Sequence, residues 1–479
     1  MRIVRIALLV VLVLAASGCG AAKKSTATGG ASLVPASAPA FVSIDSDATS
    51  YQWRKVDSLL KKFPGRSQAL AAVRSELQGA GLDYGQDVKP ALGPELDIVW
   101  LDLADGGSNA VVLTQPKDEA KFKAMIAKGN ASDTEGSNVL TGKIGDWTAV
   151  SDEQAKIDRL RTEAESGTKL ADDAAFKDVT SQLADDTVVT AFARGKSLAQ
   201  ALSSMAPSRL PPGTLGGAGT LDYVAVALEA KDNGLRFVGA ARSTEDTKAA
   251  EFKSKLVEDV PGDALLVASF RGGGQIDKQL GQLNSNPTYR QGLGQFEKAL
   301  GVKLASVLGL FKGEVVFYVR PQAPVPEFSL VGETEDAQSS LATVDKIMAG
   351  LHAKVTTGEG GAKQADFGQF VVHYTTFDEN LFITNGDQAI QGFRTSGDKL
   401  PDAQAYKDAR SAAGVPAETA GFFYVDLKDG IPLLERYAGI AGTSIPLQVR
   451  ENLAPLRSLL SWSTLSGRTT TANLFLQIQ

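Results

Sequence analysis

The chain has 479 residues and a formal charge of −6, from 49 Lys and Arg against 55 Asp and Glu. A mildly acidic chain with no basic block has no electrostatic purchase on nucleic acid or on anionic lipid. Its single cysteine excludes an intramolecular disulfide, and its length allows two or three domains stabilised by packing alone.

The first eighteen residues read as a leader. Arg2 and Arg5 precede an unbroken apolar run, Ile6 to Ala16, too short for the roughly twenty residues that span a bilayer. The small residues Ala16-Ser17-Gly18 then stand before Cys19, as a signal peptidase requires. The segment resembles a bacterial lipoprotein signal with its lipobox. That resemblance implies that residues 1–18 are removed and that Cys19 takes an acyl lipid such as palmitate. Cys19 then holds an extracytoplasmic protein to the cell membrane. Residues 19–32, rich in Gly, Ala, Ser and Thr, read as a flexible tether.

After the tether, a strand at Phe41–Ile44 leads into an amphipathic stretch. There Leu59, Leu60, Phe63, Leu70, Val73 and Leu77 recur near helical spacing, interrupted by Pro64-Gly65. Strands over Leu96–Leu103 and Ala110–Thr114 follow, then a helix from Lys117 to Lys128 and a hairpin of Asn138–Gly142 with Trp147–Ser151. Two more helices precede a strand at Val188–Ala193. "LDYVAVALEA" and "LRFVGAARS", joined by Lys231-Asp232-Asn233-Gly234, carry a strong hairpin signal. A helix over Glu245–Val257 is expected to lead into a strand at Ala264–Phe270.

The order then starts again. "VPASAPAFVSI" (Val34–Ile44) returns as "VPGDALLVASF" (Val260–Phe270), and "KLADDAAFKD" (Lys169–Asp178) as "KLPDAQAYKD" (Lys399–Asp408). "AVSDEQA" (Ala149–Ala155) returns as "ITNGDQA" (Ile383–Ala389), and "SWSTLSG" with "TTTANLFLQIQ" closes the chain as a second hairpin. These matches predict an α+β fold of two tandem pseudo-symmetric repeats, 33–255 and 256–479, each mostly antiparallel sheet with packed helices. Equivalent positions are expected to share burial: Phe176 with Tyr406, Val42 with Ala268, Val99 with Tyr318.

The "LVPASAPAFVSI" opening, the repeated "KL.D...(F/Y)KD" and the "DQA" after a strand resemble the domain of unknown function 3352 family, exported bacterial proteins. The resemblance implies the architecture and brings no activity with it.

Catalytic signals are sparse. Asp45-x-Asp47-x-Thr49 after an apolar strand resembles the first motif of haloacid-dehalogenase-type phosphatases, where one aspartate attacks phosphorus and magnesium bridges. The matching position of the second copy is Arg271, so only the first copy carries both carboxylates. "SFRGGGQ" (Ser269–Gln275) and Gly216-Gly217-Ala218-Gly219 lack the Lys-Ser/Thr of a phosphate loop and read as turns. His352 and His373 are the two histidines, too few with one lipidated cysteine for an ordinary zinc site. No cofactor or metal site is expected. The sequence points to a membrane-anchored binding or scaffold protein of the cell envelope, with an envelope protein or an apolar ligand as partner. The alternatives are an apolar-ligand carrier and a metal-dependent phosphohydrolase using Asp45 and Asp47.

Overall fold

The computed structural model describes residues 29–272 and 309–479, apart from 104–106, 133–137, 206–219, 247–249, 323–324, 359–360, 369, 396 and 441. Between 273 and 308 it describes 294, 297, 298, 303 and 306.

Alternating apolar residues lay down eight strands in the first half of the chain: β1 (Ala40–Asp45), β2 (Glu95–Trp100), β3 (Ala110–Thr114), β4 (Leu140–Ile144), β5 (Trp147–Ser151), β6 (Val189–Arg194), β7 (Leu221–Lys231) and β8 (Gly234–Ser243). The second half contributes β9 (Leu266–Arg271), β10 (Glu314–Arg320), β11 (Glu327–Glu333), β12 (Lys354–Thr357), β13 (Lys363–Asp366), β14 (Val371–Phe377), β15 (Asn380–Thr384), β16 (Gly421–Asp426), β17 (Leu456–Ser466) and β18 (Thr469–Ile478). All belong to one sheet and every pairing is antiparallel. From edge to edge the first half runs β4-β5-β3-β2-β1-β6-β7-β8. The sheet continues β18-β17-β16-β9-β10-β11-β15-β14-β13-β12, and β8 pairs with β18 at the junction. The fold is therefore α+β.

Helices cover both faces of the first half. On one face α1 (Tyr51–Leu60), α2 (Arg66–Gly79) and α3 (Glu119–Ala131) bury Trp53, Leu77, Phe122 and Met125 against Ile98, Val112 and Val150. On the other, α4 (Gln154–Glu165) and α5 (Ala174–Thr180) bury Ile157, Leu160 and Phe176 against Phe41, Val99 and Phe192. Side-chain caps start several of these helices: Ser50 accepts the Trp53 N–H, Asp118 the Lys121 N–H and Asp173 the Phe176 N–H. A short α6 (Gly195–Met205) follows β6.

The second half has α7 (Ala337–Gly350) on the α1–α3 face, with Val344 and Met348 against Tyr374 and Leu381. The opposite face carries α8 (Ala389–Arg394) and α9 (Gln404–Ala413), which enclose Phe393 and Tyr406 with Tyr318, Phe382, Trp462 and Phe475. Helices α10 (Leu427–Ile440) and α11 (Leu447–Leu453) follow β16.

Helix α1 and the turn after it, 61–65, tie the halves together at one end of the sheet. Gln52 accepts the Ala230 N–H at 2.7 Å at the end of β7, and Lys62 donates to the Ile478 carbonyl at 3.0 Å at the end of β18. The Gly65 N–H then donates to Asn452 of α11 at 2.7 Å.

Three expectations change. Glu245–Val257 does not form a helix over its described residues: Phe252 exchanges both backbone hydrogen bonds with Thr419, and the Lys255 and Leu256 N–H groups donate to Glu314. A strand edge and a carboxylate take the donors that a helix would have kept. The compositional tether ends early, since Gly29–Ser32 form a 3-10 turn with Gly30 and Ala31 buried. The strand expected to reach Leu103 stops at Trp100, whose indole donates to the Gly107 carbonyl. The burial pairs agree with expectation: Phe176 and Tyr406 are buried, Val99 and Tyr318 fully so, and Val42 and Ala268 are half-buried.

Candidate functional site

The carboxylates that drew attention in the sequence sit where β1 ends. Asp45 accepts the Asp47 N–H at 2.9 Å, and Asp47 accepts the Thr49 N–H and hydroxyl at 3.0 and 2.8 Å. Both are therefore turn residues leading into the Ser50 cap of α1. Burial pushes the Asp45 carboxyl up to about 7, against the hydrogen bonds from Ser50 and Asp47 that favour its anion. Asp47 is held below the usual range, its own burial outweighed by the Thr49 and Lys117 contacts. β1, which carries the motif, is antiparallel to both neighbours.

Two further acids lie deeper. Glu95 accepts from the Gly29 N–H and the Ser43 hydroxyl, each at 2.8 Å. Asp97, two residues along β2, is wholly buried, and burial with Glu95 beside it holds its carboxyl well above the usual range. Burial also raises Glu95. Gly30 covers Asp97 so closely that a Cβ there would stand 1.8 Å from Oδ2. Glycine is required for that approach. Glu314 at the start of β10 repeats the arrangement, accepting from Ser269 at 3.2 Å and from the Lys255 and Leu256 N–H groups at 2.7 and 3.1 Å. Glu95 and Glu314 hold backbone turns in place, whereas both carboxyl oxygens of Asp97 are buried with no hydrogen-bond partner among the described residues.

The histidines are apart. His352 follows α7 in the left-handed region, with φ 61°. His373 is buried on β14 with Nε2 2.9 Å from Asp387 Oδ1. Among the described residues no group of three or more His, Cys, Asp or Glu is placed to hold a metal. Cys19, the Gly273–Gln275 part of "SFRGGGQ" and Gly216–Gly219 lie outside the described residues. Asp173 of the acidic pair Asp172-Asp173 is the α5 cap.

A groove of about 640 Å³ runs beside α9, with Lys253, Lys399, Lys407 and Arg410 on its walls. Each of these cations is already engaged. Lys253 pairs with Glu258, Lys407 with Asp402, Lys399 with three backbone carbonyls, and Arg410 with Tyr406 and the Pro416 carbonyl.

An apolar groove of about 420 Å³ crosses β10, β11, β15 and β14 on the α7 face of the sheet. Its floor is the row Phe317, Leu330 and Ile383, which are register partners. Its rim is Val325, Phe328 and Phe370, exposed by 50, 45 and 53%. Phe317 and Phe328 stack with ring centroids 6.4 Å apart, and Phe367 stacks on Phe370 at 4.9 Å. Asn385 closes one side by accepting the Phe328 N–H at 2.7 Å and donating to the Pro326 carbonyl at 3.0 Å. The polar groups bordering the groove are thus spent on the protein itself, and its surface offers apolar contact. In the first half the row Ile98, Val112 and Val150 crosses β2, β3 and β5 in the same way, but lies buried under α1, α2 and α3.

The model of the family described as "Protein of unknown function (DUF3352)" matches residues 2–478. The chain belongs to this family. No curated protein matches it. Among solved structures, crystal form IV of TP0453 is similar with a TM-score of 0.26 and 11% identity, over 44% of this chain and 75% of that one. Crystal form I of TP0453 gives 0.23 and 9%, over 46% and 80%.

The groove was missed in the sequence because its floor has the alternation of any buried strand. The rim residue Phe370, in a loop between β13 and β14, was the one available signal.

The Asp45 environment sets a pH dependence. Its carboxyl ionises near 4 when unfolded and near 7 when folded, so the folded state binds more protons between those values. Its contribution to stability is full below about pH 4, falls as pH rises, and is gone above about 7. Asp45→Asn should flatten the stability profile over that window by about 1.4 kcal/mol per pH unit relative to wild type. Urea unfolding at pH 4.5, 6 and 8 checks this, and parallel wild-type and variant profiles would refute it.

Proposed function

We propose that the protein is an extracytoplasmic lipoprotein, anchored through Cys19, that binds an apolar ligand of the acyl-chain class in the groove over Phe317, Leu330 and Ile383. The observation that carries the reading is the exposure of Phe328 and Phe370 around an apolar floor whose counterpart in the first half is buried. Ligand sites are concave and mostly apolar, and large exposed apolar patches mark interaction surfaces. Most of residues 273–308, which follow β9, lie outside the described residues.

The same reading takes the body as two tandem pseudo-symmetric copies, 33–255 and 256–479. The strand order β4-β5-β3-β2-β1-β6-β7-β8 is repeated by β14-β15-β11-β10-β9-β16-β17-β18, with β12 and β13 added at the far edge. At the junction Val238 faces Asn473, and each is the fifth residue of its strand. That is what a local two-fold axis through the pair requires.

Three measurements test this. A fluorescent polyene fatty acid should bind saturably, and Phe328→Asp or Phe370→Asp should weaken it at least about tenfold, while Val226→Asp on the first half leaves it unchanged. Binding indifferent to both rim substitutions, or none at all, removes the ligand reading. Cys19→Ser should abolish palmitate incorporation and detergent partitioning. A variant that still partitions at the mature mass removes the anchor. Glu95→Ala and Glu314→Ala should each cost about 3 kcal/mol, since each strands a buried serine hydroxyl and frees the turn whose backbone N–H it holds. A large cost in one half and none in the other would count against the duplication.

A further inference from the structure

We infer that the end of the sheet bearing α1, α11 and α10 is the membrane-facing side of the protein, with the α10–α11 arm lying in the bilayer interface. The inference rests on the anchor reading of Cys19 and names the surface that the anchor presents to the membrane.

No residue of α10 or α11 is buried, although both helices are rich in apolar side chains. Leu434, Ile440 and Leu447 expose 64, 69 and 64% of their surface, and Val449 is exposed beside them. Burial therefore does not explain these side chains. The arm is nonetheless fixed to the body. Arg450 of α11 pairs with Glu435 of α10 at 2.9 Å, Asn452 accepts the Gly65 N–H, and Tyr437 donates to the Gln322 carbonyl. An ordered arm that exposes its leucines is built to be covered by something other than the described residues.

The path of the chain says what covers it. β1 ends at Asp45, and β2 begins at Glu95, which holds the Gly29 N–H. The described chain thus enters at the end of the sheet where β1 finishes. Helix α1 starts there, passes the end of β7 and the end of β18, and delivers Gly65 to α11. The anchor side and the arm consequently share one end of the sheet. Six strand steps separate β1 from β16, about 29 Å at the usual spacing. Cys19 is ten residues before Gly29, so the lipid lies within about 36 Å of it. That tether keeps this end of the body near the bilayer, and the arm can lie on the same surface.

The arm's charges select the partner further. Lys428, Arg436 and Arg450 are balanced by Asp429, Glu435 and Glu451, so the arm asks for apolar depth and not for anionic headgroups. Interfacial helices bury their apolar residues at the headgroup–acyl boundary, and without net positive charge the buried apolar area alone sets the strength.

The test uses the full lipidated chain, in which Cys19 is capped and an introduced cysteine is the sole free thiol. Leu447→Cys, Ile440→Cys and Ser466→Cys are labelled with a polarity-sensitive dye and reconstituted into phosphatidylcholine vesicles with or without brominated acyl chains. Ser466 is exposed in the β17–β18 turn, at the other end of those strands. Labels at 447 and 440 should shift to the blue and lose at least half their emission to bromine, while the label at 466 does neither. Equal behaviour at all three positions overturns the inference. So does disulfide cross-linking of two Leu447→Cys chains without bromine quenching, which would make a second copy the occupant. If Cys19 itself accepts the dye in the parent chain, the anchor reading fails separately. The Leu447→Cys label in a Cys19→Ser background, mixed with the same vesicles, then decides the surface alone: a blue shift upholds it and an unchanged spectrum overturns it.

Discussion

The structure depends on the pairing of β8 with β18. Nine residue pairs in continuous register, from Thr469 opposite Arg242 to Gln477 opposite Gly234, join two half-sheets into one. Without that ladder each half would present a ten-residue edge of unpaired N–H and C=O groups, an open template for other strands. With it, the edges of the sheet are β4 and β12, five and four residues long. All four residues of β12 are exposed and they are Lys, Val and Thr. Short, polar edges are the usual guard against edge-to-edge association. Arg236 reinforces the junction by donating to Asn473 across it.

A sheet this wide must cover its faces with helices, and the chain does so unevenly. The first half buries Ile98, Val112 and Val150 under three helices. The second half brings α7 to its outer strands, and the groove lies beside it. The distinction between core and site is thus one of cover. Phe317, Leu330 and Ile383 have the composition of a strand core, and aromatic stacking on Phe328 shelters part of the floor. Among the described residues, Phe317, Leu330 and Ile383 border an open groove, whereas Ile98, Val112 and Val150 are packed in a core.

Much of this was legible in the sequence. β3 and β5 fall on the expected Ala110–Thr114 and Trp147–Ser151, and Pro64-Gly65 separates α1 from α2. Those signals are local: alternation, turn chemistry, helix breakers. The segment Glu245–Val257 differs from its expected helix because its pattern is helical while its partners are distant. Thr419 and Glu314 take its N–H groups, and neither is visible from within the window. The groove was illegible for a related reason. A strand's periodicity says which face a residue occupies, and only the assembled body says whether that face is covered.

The buried acids show how a motif can carry the right residues and a different chemistry. Asp45 and Asp47 look like a nucleophile and its partner, yet each accepts N–H groups of the turn that follows it. Glu95 and Glu314 make the principle plain, because both accept a serine hydroxyl and backbone N–H from an incoming turn. A carboxylate that accepts backbone amides holds a turn as firmly as a strand ladder would. It does so at Glu95 even though burial raises the pKa there. A perturbed carboxyl at a strand end is therefore a weak pointer to catalysis in this fold. Among the described residues, Phe328, Phe370, Leu434 and Leu447 are instead apolar side chains held in order without burial.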